Sequence, residues 1–183
     1  MKNCTKIKVI RNSSNKGVSK AYNQGIKSSL DSKYFLIVNN DVEFRSDSID
    51  NLLAFARKND YGMVTSIDTL RCYKQDYKSF QIKDEEWEGL CNSCFILKDW
   101  VIEKVGYYDE FYFAGWEDCD YIARLNLLGI EKKSTFMSVI KHEEGSTPRN
   151  NNWIFGSPEA LYSKIHIEGQ NYYRRKWNLV HNS

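Results

Sequence analysis

The sequence predicts an α/β fold, with a mixed, mostly parallel sheet flanked by helices, and three observations predict it. Short apolar runs alternate with amphipathic stretches of helical period along the chain. One run, Tyr34-Phe35-Leu36-Ile37-Val38, is apolar without a break, as expected for a strand covered on both faces. There is no internal repeat or low-complexity tract, and only two prolines, Pro148 and Pro158, so no proline-rich linker splits the 183 residues. One domain is expected at this length.

Lys6-Ile7-Lys8-Val9-Ile10 alternates as a strand does, and Asn12-Ser13-Ser14-Asn15-Lys16-Gly17 supplies turn chemistry after it. Val18 to Leu30 reads as a helix, with Ala21, Tyr22, Gly25, Ile26 and Leu30 near one face. The Tyr34–Val38 strand stops abruptly at Asn39-Asn40-Asp41. Ser46, Asp47 or Ser48 then caps a helix whose Ile49, Leu52, Leu53 and Ala56 form a buried stripe. Met63 to Ile67 is a strand, and Arg71 to Glu88 an irregular loop with room for a short hairpin. Cys94 to Leu97 is a strand, and Asp99 to Val105 a short helix stopped by Gly106. Glu117 to Leu128 is a helix with Ile122, Leu125 and Leu128 inward, an Asp120–Arg124 pair and Gly129 at its end. Thr135 to Ile140 is a strand leading to His142. Ser157-Pro158-Glu159 starts a last helix that runs to about Trp177.

Composition narrows the function. Twenty-six basic against 24 acidic side chains leave +2, too little for a protein built around neutralising phosphates. The stretch Met1 to Lys8 is polar and no window is apolar enough to span a bilayer, so a cytoplasmic protein is expected. Five cysteines are an odd number, and a chain this long needs no disulfide staples. Cys91 and Cys94 have the spacing of a metal or redox pair but no second such pair, and read as reduced thiols beside a strand. Aromatic residues, 14% of the chain, suit a large core or a sugar- or base-stacking surface.

Three clusters carry candidate chemistry. Asn39-Asn40-Asp41 delivers a carboxylate at the C-terminal end of a buried strand, where open α/β sheets bind ligands. With water and phosphate oxygens it could hold Mg²⁺ or Mn²⁺, and it fits an Asx-type turn equally well. In Gly115-Trp116-Glu117-Asp118-Cys119-Asp120 the acids at a helix start are partly explained by the helix dipole. Asp118, preceded by a Gly-Trp pair that suggests a shaped pocket, could instead take a proton from an acceptor hydroxyl. His142-Glu143-Glu144 offers an imidazole suited to a borderline metal, and a histidine after a strand is as readily structural. His166 and His181 carry no signal.

Together these clusters identify a resemblance to the family 2 nucleotide-sugar glycosyltransferases of GT-A fold over roughly Ile7 to Trp177. The matching stretches are Asn15-Lys16-Gly17 with Ala21 to Ile26, Phe35 to Val42, Val105 to Phe111, Trp116 to Asp120 with Arg124, Leu125 and Gly129, His142 to Thr147, and Tyr172-Tyr173 with Lys176-Trp177. The resemblance implies a single-displacement, inverting transfer from a nucleotide diphosphate sugar, a uridine diphosphate sugar above all, onto a hydroxyl of a glycan, lipid-linked sugar, protein or modified nucleic acid. It implies Asp41 and His142 as ligands of Mn²⁺ or Mg²⁺, Asp118 as catalytic base, and Glu117 and Trp116 shaping the sugar subsites. Asn15, Gly17, Asn23, Asn39 and Asn40 would lie by the nucleotide, and Arg149 and Lys176 would close over the diphosphate. In these terms the single domain 1–183 divides into 1–70, part of the nucleotide-binding half, 71–147, the acceptor and catalytic half, and 148–183, a C-terminal loop and helix.

Two departures bear on this. The usual N-terminal strand, helix and strand with base-recognising acids do not precede Ile7. Either the sequence is a fragment, another chain supplies the strand, or the sheet closes up around a minimal core. A homo-oligomer, second chain or rearranged segment is expected to cover the exposed edge. The stretch around Asn92-Ser93 lacks a glycine common in the family, which would alter the acceptor subsite. The competing readings are an inactive relative that binds a glycan or partner, and a nucleic-acid binder using Tyr172-Tyr173-Arg174-Arg175-Lys176-Trp177.

Overall fold

The computed structural model describes residues 7–143 and 158–179, the last stretch with side chains from 163 onward. Its elements in chain order are α1 (Val18–Lys27), β1 (Tyr34–Val38), β2 (Val42–Phe44), α2 (Ser48–Lys58), β3 (Met63–Asp68), α3 (Thr69–Tyr73), β4 (Glu86–Trp87), β5 (Cys94–Lys98), α4 (Asp99–Val105), α5 (Glu117–Leu127), β6 (Lys132–His142) and α6 (Pro158–Lys176). The strands lie in the order β1-β5-β3-β6-β2, with β4 beside the first half of β6. β1, β3 and β6 run the same way, while β5 runs against its neighbours β1 and β3. The sheet is therefore mixed as expected, with β3–β6 its one parallel pairing among the described residues.

Period-two alternation sorts the strand side chains onto two helical layers. Phe35 and Ile37 of β1, Met63 of β3, and Phe95 and Leu97 of β5 pack with Ile26, Val101, Tyr108, Tyr121 and Leu125 from the α1, α4 and α5 side. The alternate residues Val64, Cys94 and Ile96, with Ile140 of β6, pack against Leu52, Phe55 and Ala56 of α2. Every residue of β3 and β5 is buried, the polar Thr65, Ser66, Asp68 and Lys98 included. Ile67, Phe136 and Val139 form a smaller core under Phe80 and Trp87.

Several expectations are corrected. Residues 7–10 pair with no strand, and Ile7 is 88% exposed, because alternation without a ladder partner makes no strand. The cap of α2 differs too. Asp47 occupies the cap position but makes no cap hydrogen bond, since Arg45 takes both its oxygens at 2.8 and 2.7 Å. A bulge at Phe136 to Ser138, where β6 slips against β3, secures the start of α2 instead: Ser138 Oγ donates to Ser48 O at 2.7 Å, and Asn51 Nδ2 to Met137 O at 2.9 Å. Ile49 and Leu128, expected in the core, are 42% and 54% exposed. In α5 it is Tyr121 rather than Leu128 that fills the interior with Leu125. The stretch after β3 holds α3 and then the isolated strand β4, which pairs with β6 and forms no hairpin.

Candidate active site

The candidate groups gather where β1, β3 and β6 end. Asp41 lies in the turn between β1 and β2, and β2 pairs back onto β6 with Val42 opposite His142. This register sets His142 Nε2 3.1 Å from Asp41 Oδ1, while Glu143 N donates to Asp41 O at 3.1 Å. Two donors bound to adjacent positions of one six-coordinate ion, each at about 2.1 Å, lie about 3 Å apart, so the pair has the spacing of neighbouring ligands. A carboxylate oxygen and an imidazole nitrogen suit Mn²⁺, with water and phosphate oxygens for the other positions. The donor set fits such an ion, although among the described residues no third His, Cys, Asp or Glu joins it and the Nδ1 atom of His142 has no hydrogen-bond partner.

Tyr22 of α1 links this pair to the second cluster. Its hydroxyl donates to Asn39 Oδ1 at 2.9 Å, and Asn39 N is tied to Ser93 O at 2.8 Å. Burial, then the charges of Glu117, Asp118 and Asp41, push Tyr22 far above its ordinary value, so it stays a neutral donor. Acids from two distant stretches thus act on one phenol. Beside it a small cavity, with room for about one water, is lined on its polar side by Tyr22, Asn92, Glu117 and Asp118. It is smaller than a sugar ring, so a substrate would lie across its opening.

Asp118 stands in the first turn of α5 with both oxygens engaged: Oδ1 accepts from Cys119 N at 2.7 Å and Oδ2 from Asn92 Nδ2 at 3.0 Å. Glu117 beside it is pushed up to about 7, first by burial and then by the Asp118 charge, against the lowering effect of nearby backbone amides. Desolvation outweighs the helix start that alone would keep this carboxyl acidic.

Trp116, the residue before this pair, holds φ at 72°, a left-handed conformation rare for a bulky side chain. The helix α6 locks it there. Trp116 Nε1 donates to His166 Nε2 at 3.1 Å, and a Cβ on Gly115 would come within 2.8 Å of His166 Nδ1. Lys176 is 2.7 Å from Asp109 Oδ2 and 2.8 Å from the fully buried Asp120 carboxylate, and Trp177 Nε1 donates to the same Asp120 at 3.1 Å. The charge of Lys176 is therefore spent on anchoring α6, not turned toward a diphosphate. Tyr172 stacks on Phe111 at 3.9 Å and Tyr173 packs on Trp116, so rings that a nucleic-acid surface would use for stacking face the protein.

The residues expected by the nucleotide divide. Asn39 joins the cluster through Tyr22, and the Asn40 side chain is exposed nearby. Asn15 caps its own turn, with Gly17 N donating to its Oδ1 at 3.0 Å. Gly17 has φ 84°, and a Cβ there would meet Phe113 O at 2.6 Å, so it serves a close approach of backbone to backbone. Asn23 is buried and clamps the loop before α5: its Oδ1 accepts from Tyr108 N at 2.9 Å, while Nδ2 donates to Tyr108 O at 2.9 Å and to Glu110 Oε1 at 3.0 Å. Arg149 lies outside the described residues. Cys91 and Cys94 are free buried thiols, Cys91 against Ser93 Oγ and Cys94 against Ser66 Oγ. Tyr22 and His166 were not recognisable as site residues, because each acts through a partner 17 or 50 positions away, and Asn92 was legible only as part of an altered acceptor subsite, its bond to Asp118 being 26 positions off.

Acids, an imidazole and a hydrogen-bonded phenol thus gather at one end of the α/β sheet. The chain matches the family described as glycosyl transferase family 2 over residues 1–102. The match covers more than half of the chain, which belongs to that family, and its function is glycosyl transfer. No curated protein matches the chain. The matched stretch holds Tyr22, Asn39, Asp41 and Asn92 and ends before Trp116, Glu117, Asp118 and His142. No helix among the described residues is long and apolar enough to cross a membrane.

Proposed function

We propose that the chain is a metal-dependent, inverting glycosyltransferase that moves a sugar from a nucleotide diphosphate onto an acceptor hydroxyl in one displacement. The observation that carries this reading is the convergence on Tyr22: Asn39 bonds its hydroxyl, and Asp41, with His142 3.1 Å away, shares electrostatic influence over it with Glu117 and Asp118. A binding module has no use for such a costly gathering of acids, whereas glycosyl transfer needs charge at both ends of the reaction.

Asp41 and His142 would hold Mn²⁺ or Mg²⁺. A divalent ion supplies neutralisation of the negative charge that a leaving diphosphate gains. Asn39 and Asn40 lie beside Asp41, where the donor's ribose and phosphates would reach. Asp118 accepts the proton of the attacking hydroxyl while the oxygen bonds to the anomeric carbon. The bond from that carbon to the diphosphate oxygen breaks as the new one forms, its electrons leaving with the diphosphate. Attack from the opposite face inverts the anomeric centre. Trp116, fixed by His166 and Tyr173, offers a rigid ring for a sugar face to stack on.

The test is release of nucleotide diphosphate from a panel of donor sugars with Mn²⁺, beginning with uridine diphosphate sugars. Asp118→Asn is expected to retain donor binding and to lose transfer by about 10²- to 10⁴-fold. Near-normal turnover in that variant removes Asp118 from the role of base. Asp41→Ala is expected to weaken Mn²⁺-dependent binding of uridine diphosphate in titration calorimetry, and an unchanged isotherm would remove Asp41 from the metal site.

A further inference from the structure

The loop before β5 is fixed from both sides. Cys91 N donates to Thr65 Oγ1 of β3 at 3.2 Å, and Ser93 O accepts from Asn39 N at 2.8 Å. Cys91 and Ser93 are buried, so the backbone between them is held by β3 and by the end of β1. From this fixed point the side chain of Asn92 crosses to the first turn of α5, where its Nδ2 donates to Asp118 Oδ2 at 3.0 Å. An ionised carboxylate only accepts hydrogen bonds, so the amide must turn its NH₂ toward Asp118 and its oxygen away. That oxygen, Asn92 Oδ1, is buried and has no hydrogen-bond partner in the structure. A buried acceptor left unmatched is unfavourable, and the bond from the same amide to the Asp118 carboxylate offsets it.

The surroundings of Asp118 make that bond consequential. The titratable groups that feel its charge are Glu117 and Cys119 on its own helix, Tyr22 of α1, Tyr108 of the loop before α5 and Tyr173 of α6. None of these is a cation. Against them, the Asp118 carboxylate receives N–H donors from Cys119 and Asn92.

We infer that Asn92 is the positioning residue for the base: its amide orients the Asp118 carboxylate for removal of the acceptor's proton. This rests on the reading of Asp118 as the base. Asn92→Leu keeps the approximate volume and removes the donor, and Asn92→Asp keeps the shape and sets a second acid against the first. The carboxyl of Asp118 can be titrated in the metal-free, full chain by NMR with carbon-13 aspartate, assigned by comparison with Asp118→Asn. Asn92→Leu, which removes a donor to the charged form, is expected to raise its titration midpoint, and Asn92→Asp to raise it or split it into two coupled steps. With uridine diphosphate glucose, Mn²⁺ and water as acceptor, Asn92→Leu is expected to lower kcat roughly 10- to 100-fold with donor KM unchanged, and to move the acid limb of the kcat profile upward. A merely structural role would lower stability without moving either midpoint. An Asp118 midpoint unmoved in both variants overturns the inference while leaving the base intact. Normal turnover by Asp118→Asn instead overturns the base and the inference together. Should Asn92→Leu fail to fold by circular dichroism, the near-isosteric Asn92→Asp decides.

Discussion

Glu117 and Asp118 are adjacent carboxyls with different neighbours, and that difference sorts their chemistry. Asp118 receives two N–H donors, whereas Glu117 Oε2 is buried without a hydrogen-bond partner in the structure. Glu117 is raised from 4.5 to about 7 by burial and by the Asp118 charge, so near neutrality it is partly protonated and able to donate to a sugar hydroxyl. The sign for stability follows. A carboxyl that holds its proton more tightly folded than unfolded favours the folded state most below 4.5, and loses that contribution as pH rises through about 7. The unfolding free energy of the wild type relative to Glu117→Gln is therefore expected to fall between pH 4.5 and 7 and then level off, as urea titrations at a series of pH values would show. A difference independent of pH would mean that Glu117 titrates normally. The sequence pattern made this acidic pair legible, with a helix start as the bland explanation for Glu117 and the Gly115-Trp116 pair setting Asp118 apart. Which acid is raised was not legible, because burial beside Tyr22 and the Asn92 bond come from segments brought together only by folding.

At the scale of elements, α6 acts through the loop that begins α5. Its Lys176 and Trp177 converge on Asp120, which Arg124 also binds at 3.0 Å, and its His166 holds Trp116. Asp120 is fully buried, so removing its charge leaves two cations facing a neutral group. Asp120→Ala is expected to cost about 3 kcal/mol or more in denaturant unfolding and to open α6 to limited proteolysis ahead of the rest of the chain. Equal protection of α6 in variant and wild type would show that its docking does not depend on this carboxylate. Where the start of α1 meets the same loop, Gly17→Ala would drive a Cβ into the Phe113 carbonyl at a positive φ, and is expected to destabilise by more than about 1 kcal/mol in the same assay. Elements with strong local signals were readable from sequence: Tyr34–Val38 by its unbroken apolar run, and Asp99–Val105 by its glycine stop at Gly106. The Asp120–Arg124 pair was equally readable from its spacing. Others obey tertiary causes. Lys6 to Ile10 has the strand pattern but no ladder at its described residues, while β2 and β4, of three and two residues, exist because β6 offers them an edge. The bulge in β6 that secures α2 leaves no trace in the pattern of apolar residues.

For the whole molecule, the sheet order matters more than any one motif. Because β1, β3 and β6 run the same way, Asp41, the Asn92 loop and His142 emerge at one end although they are separated by up to 101 positions, and α1 and α5 cover the same end with Tyr22 and Asp118. A donor seated there would bridge the stretch matched to the family and the stretch beyond it, and should stabilise the chain as one cooperative unit. Ligand that binds only the folded state adds RT ln(1 + [L]/Kd), about 2.7 kcal/mol at a hundredfold excess over Kd. For a chain of 183 residues this corresponds to a rise in Tm of roughly 5–10 °C. The rise is expected with uridine diphosphate and Mn²⁺ together, and is expected to vanish with a chelator or in Asp41→Ala. It should persist in Asp118→Asn, where the proposed role of the lost carboxylate is toward the acceptor. A calorimetric scan that splits into two transitions, with ligand moving only one, would show that the two stretches do not share the site. A single transition that shifts whole in Asp118→Asn and not at all in Asp41→Ala would separate donor binding from proton removal within one fold.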